Sequence, residues 1–258
     1  MAIRRTLAFD EAGSLGAPPI VFLHGLLGSR RNWRSVAKDM STSHRVFSLD
    51  LRNHGDSFHD EEDTVSFMVD DLRGWADDQG LDSFVLCGHS LGGKVAMKFA
   101  CLHGDRVQRL VVVDIAPRDY PPEHHLPTFD GLLALNLQTL SSHKDADMQL
   151  TEAFPAWAFR EFLLTNLAEE SGIFRWKPNL CALRSSLLDL SRNPLTPEES
   201  YGGVVTFVNG GKSSYVRLED EDSIIRHFPK ARIVVLPEAG HFVHAEDKAG
   251  FLSALRET

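Results

Sequence analysis

Residues 83–100 read SFVLCGHSLGGKVAMKFA. The stretch opens as a nearly continuous apolar run. It turns through Gly88-His89-Ser90-Leu91-Gly92, with Gly93 behind, and goes on with Val95, Ala96, Phe99 and Ala100 at the spacing of one helical face. A strand, a tight glycine-flanked turn and a helix in direct succession leave few folds open. An apolar run of this kind is buried on both faces, as in a parallel sheet covered by helices. Gly104 is the expected C-cap of the helix.

The rest of the chain repeats the alternation. Short β-rich runs occupy residues 20–23, 45–49, 84–87, 110–113, 204–208 and 232–236. Between them, apolar residues at 65, 68, 69, 72, 75 and 76, and at Trp33, Val36, Ala37 and Met40, keep helical spacing. Strand–helix alternation predicts an α/β fold with a mostly parallel central sheet and helices on both faces. It breaks between about Ala116 and Ser200, a region entered through APRDYPPEHH and left through RNPLTPEES. That region carries helical runs over 129–140 and 157–167 and no convincing strand. The expected organisation is a core of residues 1–115 and 200–258 with residues 116–199 inserted as a helical cap.

Composition narrows the partners. The formal charge is −9, which argues against a basic face for nucleic acid. Three cysteines, Cys87, Cys101 and Cys181, form no CxxC or zinc-type spacing, and Cys87 and Cys101 read as buried free thiols. The first residues, MAIRRTLAFDEAG, carry two arginines but no long apolar stretch or cleavage-like site. No run of eighteen apolar residues occurs, so no membrane span is expected. These readings predict a protein of a reducing, cytoplasmic setting, with no metal and no cofactor; they do not identify a partner. His54 and His59, with Asp56, Asp60, Glu61, Glu62 and Asp63, match no strong ligand pattern and read as a solvated loop.

The turn at Ser90 carries chemistry. A serine between such a strand and helix takes a strained backbone, and the flanking glycines relieve the crowding. The helix N-terminus behind it favours developing negative charge.

The segments HGLLGS (24–29), DLRNHGDS (50–57), GHSLGGK (88–94), VVVDIAP (111–117) and GHFVHAE (240–246) occur in this order. Together they resemble the α/β-hydrolase family over nearly the whole chain, and more narrowly its small carboxylesterases and acyl thioesterases. The resemblance implies a Ser90 nucleophile and oxyanion donors on the backbone N–H groups of Leu26 and Leu91. It also implies a base at His241, which follows the last strand through residues 237–240. His244 reads instead as a solvated residue of the next helix. His24, His89 and Asp50 read as structural, and His124 and His125 as surface or cavity rim.

Many members carry their acid after the penultimate strand as Gly-x-x-Asp-x-x-Val. Here that string is GGKSSYV (210–216), and the acid position is Ser213. A hydroxyl brings no negative charge to an imidazolium. Glu219, Asp220, Glu221 and Asp222 read as the acidic first turn of a helix. Asp114 closes an apolar strand, and a buried aspartate needs a partner. The expected triad is therefore Ser90, Asp114 and His241, with Ser213 or Ser214 near it and Tyr215 packed beneath the base. Phe129, Trp157 and Phe162 are the cap residues expected to offer pocket surface.

The implied activity is hydrolysis of small to medium acyl esters or thioesters through an acyl-serine. Enol-lactonase, carbon–carbon hydrolase and cofactor-free haloperoxidase-like activities share such a triad, and a non-catalytic receptor could share the fold. Dehalogenases and epoxide hydrolases would place an aspartate at position 90.

Overall fold

The computed structural model describes residues 6–257. The first five residues, with Arg4 and Arg5, lie outside the described residues. The strands are β1 (Phe9–Ala12), β2 (Pro19–Leu23), β3 (Arg45–Leu49), β4 (Phe84–His89), β5 (Val107–Val113), β6 (Leu167–Glu170), β7 (Ile173–Trp176), β8 (Val205–Gly210) and β9 (Ala231–Leu236). Seven of them form one sheet in the order β1-β3-β2-β4-β5-β8-β9. Only β1 runs antiparallel, against β3.

The period of two along each strand divides the core between the sheet's two faces. Val21, Leu23, Leu86 and Val112 point to one side, where the helices Val65–Asp78 and Leu91–Leu102 bury Met68, Leu72, Val95 and Phe99. Ile20, Phe22, Cys87 and Val111 point to the other, against Val36, Met40, Phe251 and Leu255 of the helices Arg34–Met40 and Lys248–Arg256. The helix Val65–Asp78 begins at an N-cap, Thr64, whose side chain accepts from Phe67 N.

The edge strand β1, FDEA, has no apolar run; it pairs on one side only and is half-exposed or exposed. Two expectations are corrected in the core. The helix Leu91–Leu102 has His103, not Gly104, as its C-cap. Gly104 opens the following 3-10 turn, where a Cβ would stand 3.2 Å from the Tyr201 ring. Cys101 is half-buried rather than buried.

Between β5 and β8 the chain leaves the sheet through the helices Leu126–Ala134, His143–Leu150, Trp157–Leu164, Leu180–Ser185 and Leu187–Ser191. This region also holds the antiparallel hairpin β6–β7, contrary to the expectation of no strand there. Its turn is Ser171-Gly172, both with positive φ (53° and 78°), the backbone that suits the twist of a two-residue hairpin. The apolar cluster on one face of the sheet runs on into this insertion through Leu132, Phe154, Leu163 and Leu190. Among the described residues, no helix is long and apolar enough to cross a membrane.

Candidate active site

Ser90 stands between β4 and the helix Leu91–Leu102 with φ 51° and ψ −115°. Such a backbone persists only when its surroundings hold it. Ser90 N donates to Val113 O at 3.0 Å, and Gly92 N donates to His24 O at 3.1 Å. The glycines make these approaches possible. A Cβ at Gly88 would lie 2.1 Å from Gly92 O, one at Gly92 2.6 Å from the carbonyl oxygens of Leu23 and His24, and one at Gly93 2.5 Å from Ile115.

Asp114 caps the C-terminal end of β5, fully buried and with φ 51°. Its Oδ1 accepts from Gly210 N at 3.0 Å. Its Oδ2 accepts from Ser213 Oγ at 2.5 Å and from His241 Nδ1 at 2.7 Å. A carboxylate only accepts, so Nδ1 carries the proton and Nε2 is left as the basic nitrogen. Ser213, at the position where many relatives of this fold carry an acid, thus donates to the Asp114 carboxylate. Tyr215 stacks on the His241 ring at 3.8 Å and 20°. The backbone on either side of His241 is held by Glu246, whose carboxylate accepts from Gly240 N at 2.7 Å and Phe242 N at 3.1 Å. His241 O accepts from His89 Nε2 at 2.9 Å.

The loop after β2 is fixed by two neutral histidines. His24 Nδ1 donates to Gly25 O at 2.8 Å, and its Nε2 accepts from Leu51 N at 3.0 Å. Gly28 N donates to the same Gly25 oxygen at 2.9 Å. In a trans peptide the N–H points opposite the C=O, so pinning Gly25 O also aims the N–H of Leu26. His54 Nδ1 donates to Arg52 O at 2.9 Å, and its Nε2 accepts from Leu27 N at 3.2 Å. Asn166, from the insertion, donates to Leu27 O at 2.6 Å. Leu27 itself sits at φ 57°. Burial pushes His24 down to about 4 and His54 to about 3, which keeps each ring neutral with one donor and one acceptor.

Two cavities meet at Ser90. The one on the His241 side, called the outer cavity, is about 210 Å³ and is lined by Ser90, His241, Leu26, Phe159, Phe162, Phe242, Tyr215, His124, His125 and Thr128. The inner one, about 30 Å³, shares Ser90, Leu26, His125 and Tyr215 and adds Leu91, Lys94, Ile115, Tyr120, Leu187, Leu190 and Ser191.

Several sequence expectations change here. Phe162 lines the outer cavity, but Phe129 is fully buried in the core and Trp157 is 64% exposed on the outside of the insertion. Helical periodicity assigns a face but not what the face looks onto. His244 is buried, not solvated. Its helix, Val243–Glu246, lies against the core, so the ring stacks on Trp33 at 4.3 Å, and burial pushes it down to about 3. Asp220 pairs with Arg118 at 3.0 Å and accepts from Arg217 N, away from His241. Asp50 accepts from the backbone of Arg30 and Asp56 and pairs with the Arg30 side chain. His54 and His59 do not converge on the nearby acids. His59 Nε2 bonds Lys177 O instead. Glu246 and Lys94 are two supporting residues that the sequence does not single out, although they close the motifs GHFVHAE and GHSLGGK.

A model of the alpha/beta hydrolase fold matches residues 18–248. The chain is 41% identical over 250 residues to the mouse (Mus musculus) sn-1-specific diacylglycerol lipase ABHD11, covering 94% of this chain and 81% of that protein. It is 32% identical to esterase YbfF of Escherichia coli K12, covering 92% and 91%. Among solved structures, a marine microorganism esterase superposes with TM-score 0.95 at 31% identity, covering 98% of this chain and 99% of the other. With a strained serine between strand and helix, and relatives of this kind along nearly its whole length, the chain belongs to the α/β-hydrolase fold family, in its esterase and lipase branch.

Proposed function

We propose that this protein hydrolyses carboxylic esters or thioesters through an acyl-Ser90 intermediate, with His241 as base and Asp114 as the acid. The observation that carries the reading is the bond from His241 Nδ1 to the buried carboxylate of Asp114. In this reading His241 Nε2 takes the Ser90 hydroxyl proton as Oγ attacks the carbonyl carbon. The oxyanion is received by the N–H groups of Leu26 and Leu91, which are fixed before the reaction. Among the described residues, neither N–H donates to another protein group. Asp114 stabilises the imidazolium, which returns its proton to the leaving alkoxide or thiolate. Water then repeats the sequence on the acyl-enzyme and releases the acid.

The two cavities divide the substrate. His241 lines only the outer one. A leaving group must lie within reach of its proton donor, so the alcohol part occupies the outer cavity. The acyl part extends into the inner cavity beside Leu91. Residues 116–199 act as the cap over residues 1–115 and 200–258, supplying Phe159 and Phe162 to one cavity and Leu187 and Leu190 to the other. A reducing, cytoplasmic setting fits the three free cysteines.

A fluorophosphonate probe and p-nitrophenyl esters test the reading together. Wild type is labelled and turns over the esters, and Ser90→Ala does neither. Labelling without ester turnover would point to lactone or carbon–carbon chemistry. Neither labelling nor turnover would favour a receptor.

A further inference from the structure

Lys94 lies one helical turn beyond Ser90 and is only 2% exposed. Its Nζ donates to Leu190 O at 3.0 Å, Ser191 O at 2.7 Å and Arg192 O at 2.8 Å, and sits 4.9 Å from the centroid of the Tyr120 ring. An ammonium has three N–H donors, and all three are used. It has none left for a substrate, so Lys94 is not a catalytic residue. Its acceptors are the last carbonyls of the helix Leu187–Ser191 and the residue after it. These are the unsatisfied groups at the negative end of a helix, where a cation is favoured.

The same place gathers both ends of the insertion. Tyr120 N donates to Ser191 O at 2.9 Å. Asn193 N donates to Asp119 Oδ1 at 2.6 Å. The outgoing chain near 119–120 and the returning chain near 190–193 are therefore bound to each other and, through Lys94, to the helix that begins at Ser90. Leu187, Leu190 and Ser191, held in this way, form one wall of the inner cavity, and Lys94 and Tyr120 line it with them.

We propose that Lys94, by clasping the cap's neck to the nucleophile's helix, sets the length of the acyl group accepted on Ser90. This rests on the ester-hydrolase reading above. A space of about 30 Å³ holds roughly two water-sized groups, which suits an acetyl or propionyl substituent. Lengthening the acyl chain requires the wall at Leu187–Ser191 to retreat. Lys94 opposes that retreat with three hydrogen bonds to carbonyls that have no helical partner. It is a positioning residue that acts through the wall.

The test compares kcat/KM for p-nitrophenyl acetate with that for p-nitrophenyl octanoate in wild type, Lys94→Met and Leu190→Ala. Methionine keeps the length of the side chain without its charge or donors. Leu190→Ala widens the same cavity and leaves the three Lys94 hydrogen bonds, all to backbone carbonyls, in place. Wild type favours the acetate. In both variants the acetate-to-octanoate ratio falls by about tenfold or more, the discrimination a pocket gains per methylene. Should Lys94→Met fail to fold, Lys94→Gln, which loses the charge but keeps a polar end, takes its place in the comparison. An unchanged ratio in Leu190→Ala, or a Lys94→Met enzyme slowed equally on both esters, would overturn the proposal. The same ratio read from labelling rates of methyl- and octyl-phosphonofluoridates separates this inference from the reading beneath it. A chain-length ratio in labelling that falls in Lys94→Met, without any ester turnover, would refute the ester reading and uphold the role of Lys94.

Discussion

Ser213 occupies the position where this fold often carries its acid, and it donates to the carboxylate one strand earlier. In the proposed triad that pairing keeps a carboxylate beside a hydroxyl that brings no charge of its own. Removing it in Ser213→Ala leaves Asp114 with Gly210 N and His241 as partners. A hydrogen bond to a charged group contributes about 1.5–3 kcal/mol. The expected result is a fall in kcat of about tenfold, read from steady-state kinetics on a short-chain ester, with the fold unchanged by circular dichroism. At this scale the sequence is informative where chemistry conflicts with surroundings. An aspartate closing the apolar run of β5 demands a partner on chemical grounds alone. His244 presents no such conflict. Its burial follows from how the short helix Val243–Glu246 lies against Trp33, a tertiary fact that spacing does not encode.

The loop after β2 and the elbow after β4 depend on each other. Gly92 N bonds His24 O, while His24 and His54 hold the peptide groups of Gly25 and Leu27. His54→Leu removes the acceptor for Leu27 N and frees that loop to turn. The expected loss in kcat is about 10²–10³, the size seen when one oxyanion donor is lost. Slower fluorophosphonate labelling should accompany it. Wild-type labelling and turnover in this variant would show that the loop holds without the histidine. Gly92→Ala places a Cβ 2.6 Å from two carbonyl oxygens. Overpacking of this kind costs about 1–3 kcal/mol, and calorimetry should show a lowered Tm together with lost activity. The motifs around both turns are plain in the sequence because glycine spacing encodes close approach. The hairpin β6–β7 and the edge strand β1 are not, because strands of four residues carry no long apolar signal.

Across the whole molecule, the buried histidines set the response to acid. His24 is pushed down to about 4, His54 and His244 to about 3, and His89 well below its ordinary range, in each case chiefly by burial. Unfolded, each returns to about 6.5. Between these values the unfolded chain binds more protons than the folded one, so stability falls as pH falls. The stability is fully present above about pH 6.5 and is lost progressively towards pH 4. Asp63, pushed up to about 6 by burial, acts in the opposite sense, but it is one group against several. Tm measured from about pH 6.5 down to about pH 4 should drop steeply. A flat profile would show that these rings are not buried in their neutral form. The alternation that builds the sheet is legible along the chain, and so is the interruption between β5 and β8. The shared core of insertion and sheet is not, because residues such as Leu132 and Leu190 become neighbours of the sheet only on folding.

The placement of the acid at Asp114 is the claim on which the site rests. Its most direct test is kcat for Asp114→Asn beside Asp220→Asn on a p-nitrophenyl ester, with thermal unfolding to show that both variants fold. Asparagine keeps the shape but loses the charge and permits the wrong imidazole tautomer, so Asp114→Asn should lose about 10⁴ in kcat. Asp220→Asn, which weakens the Arg118 pair, should stay near wild type. Near-wild-type turnover in folded Asp114→Asn, with activity lost in Asp220→Asn, would contradict the assignment.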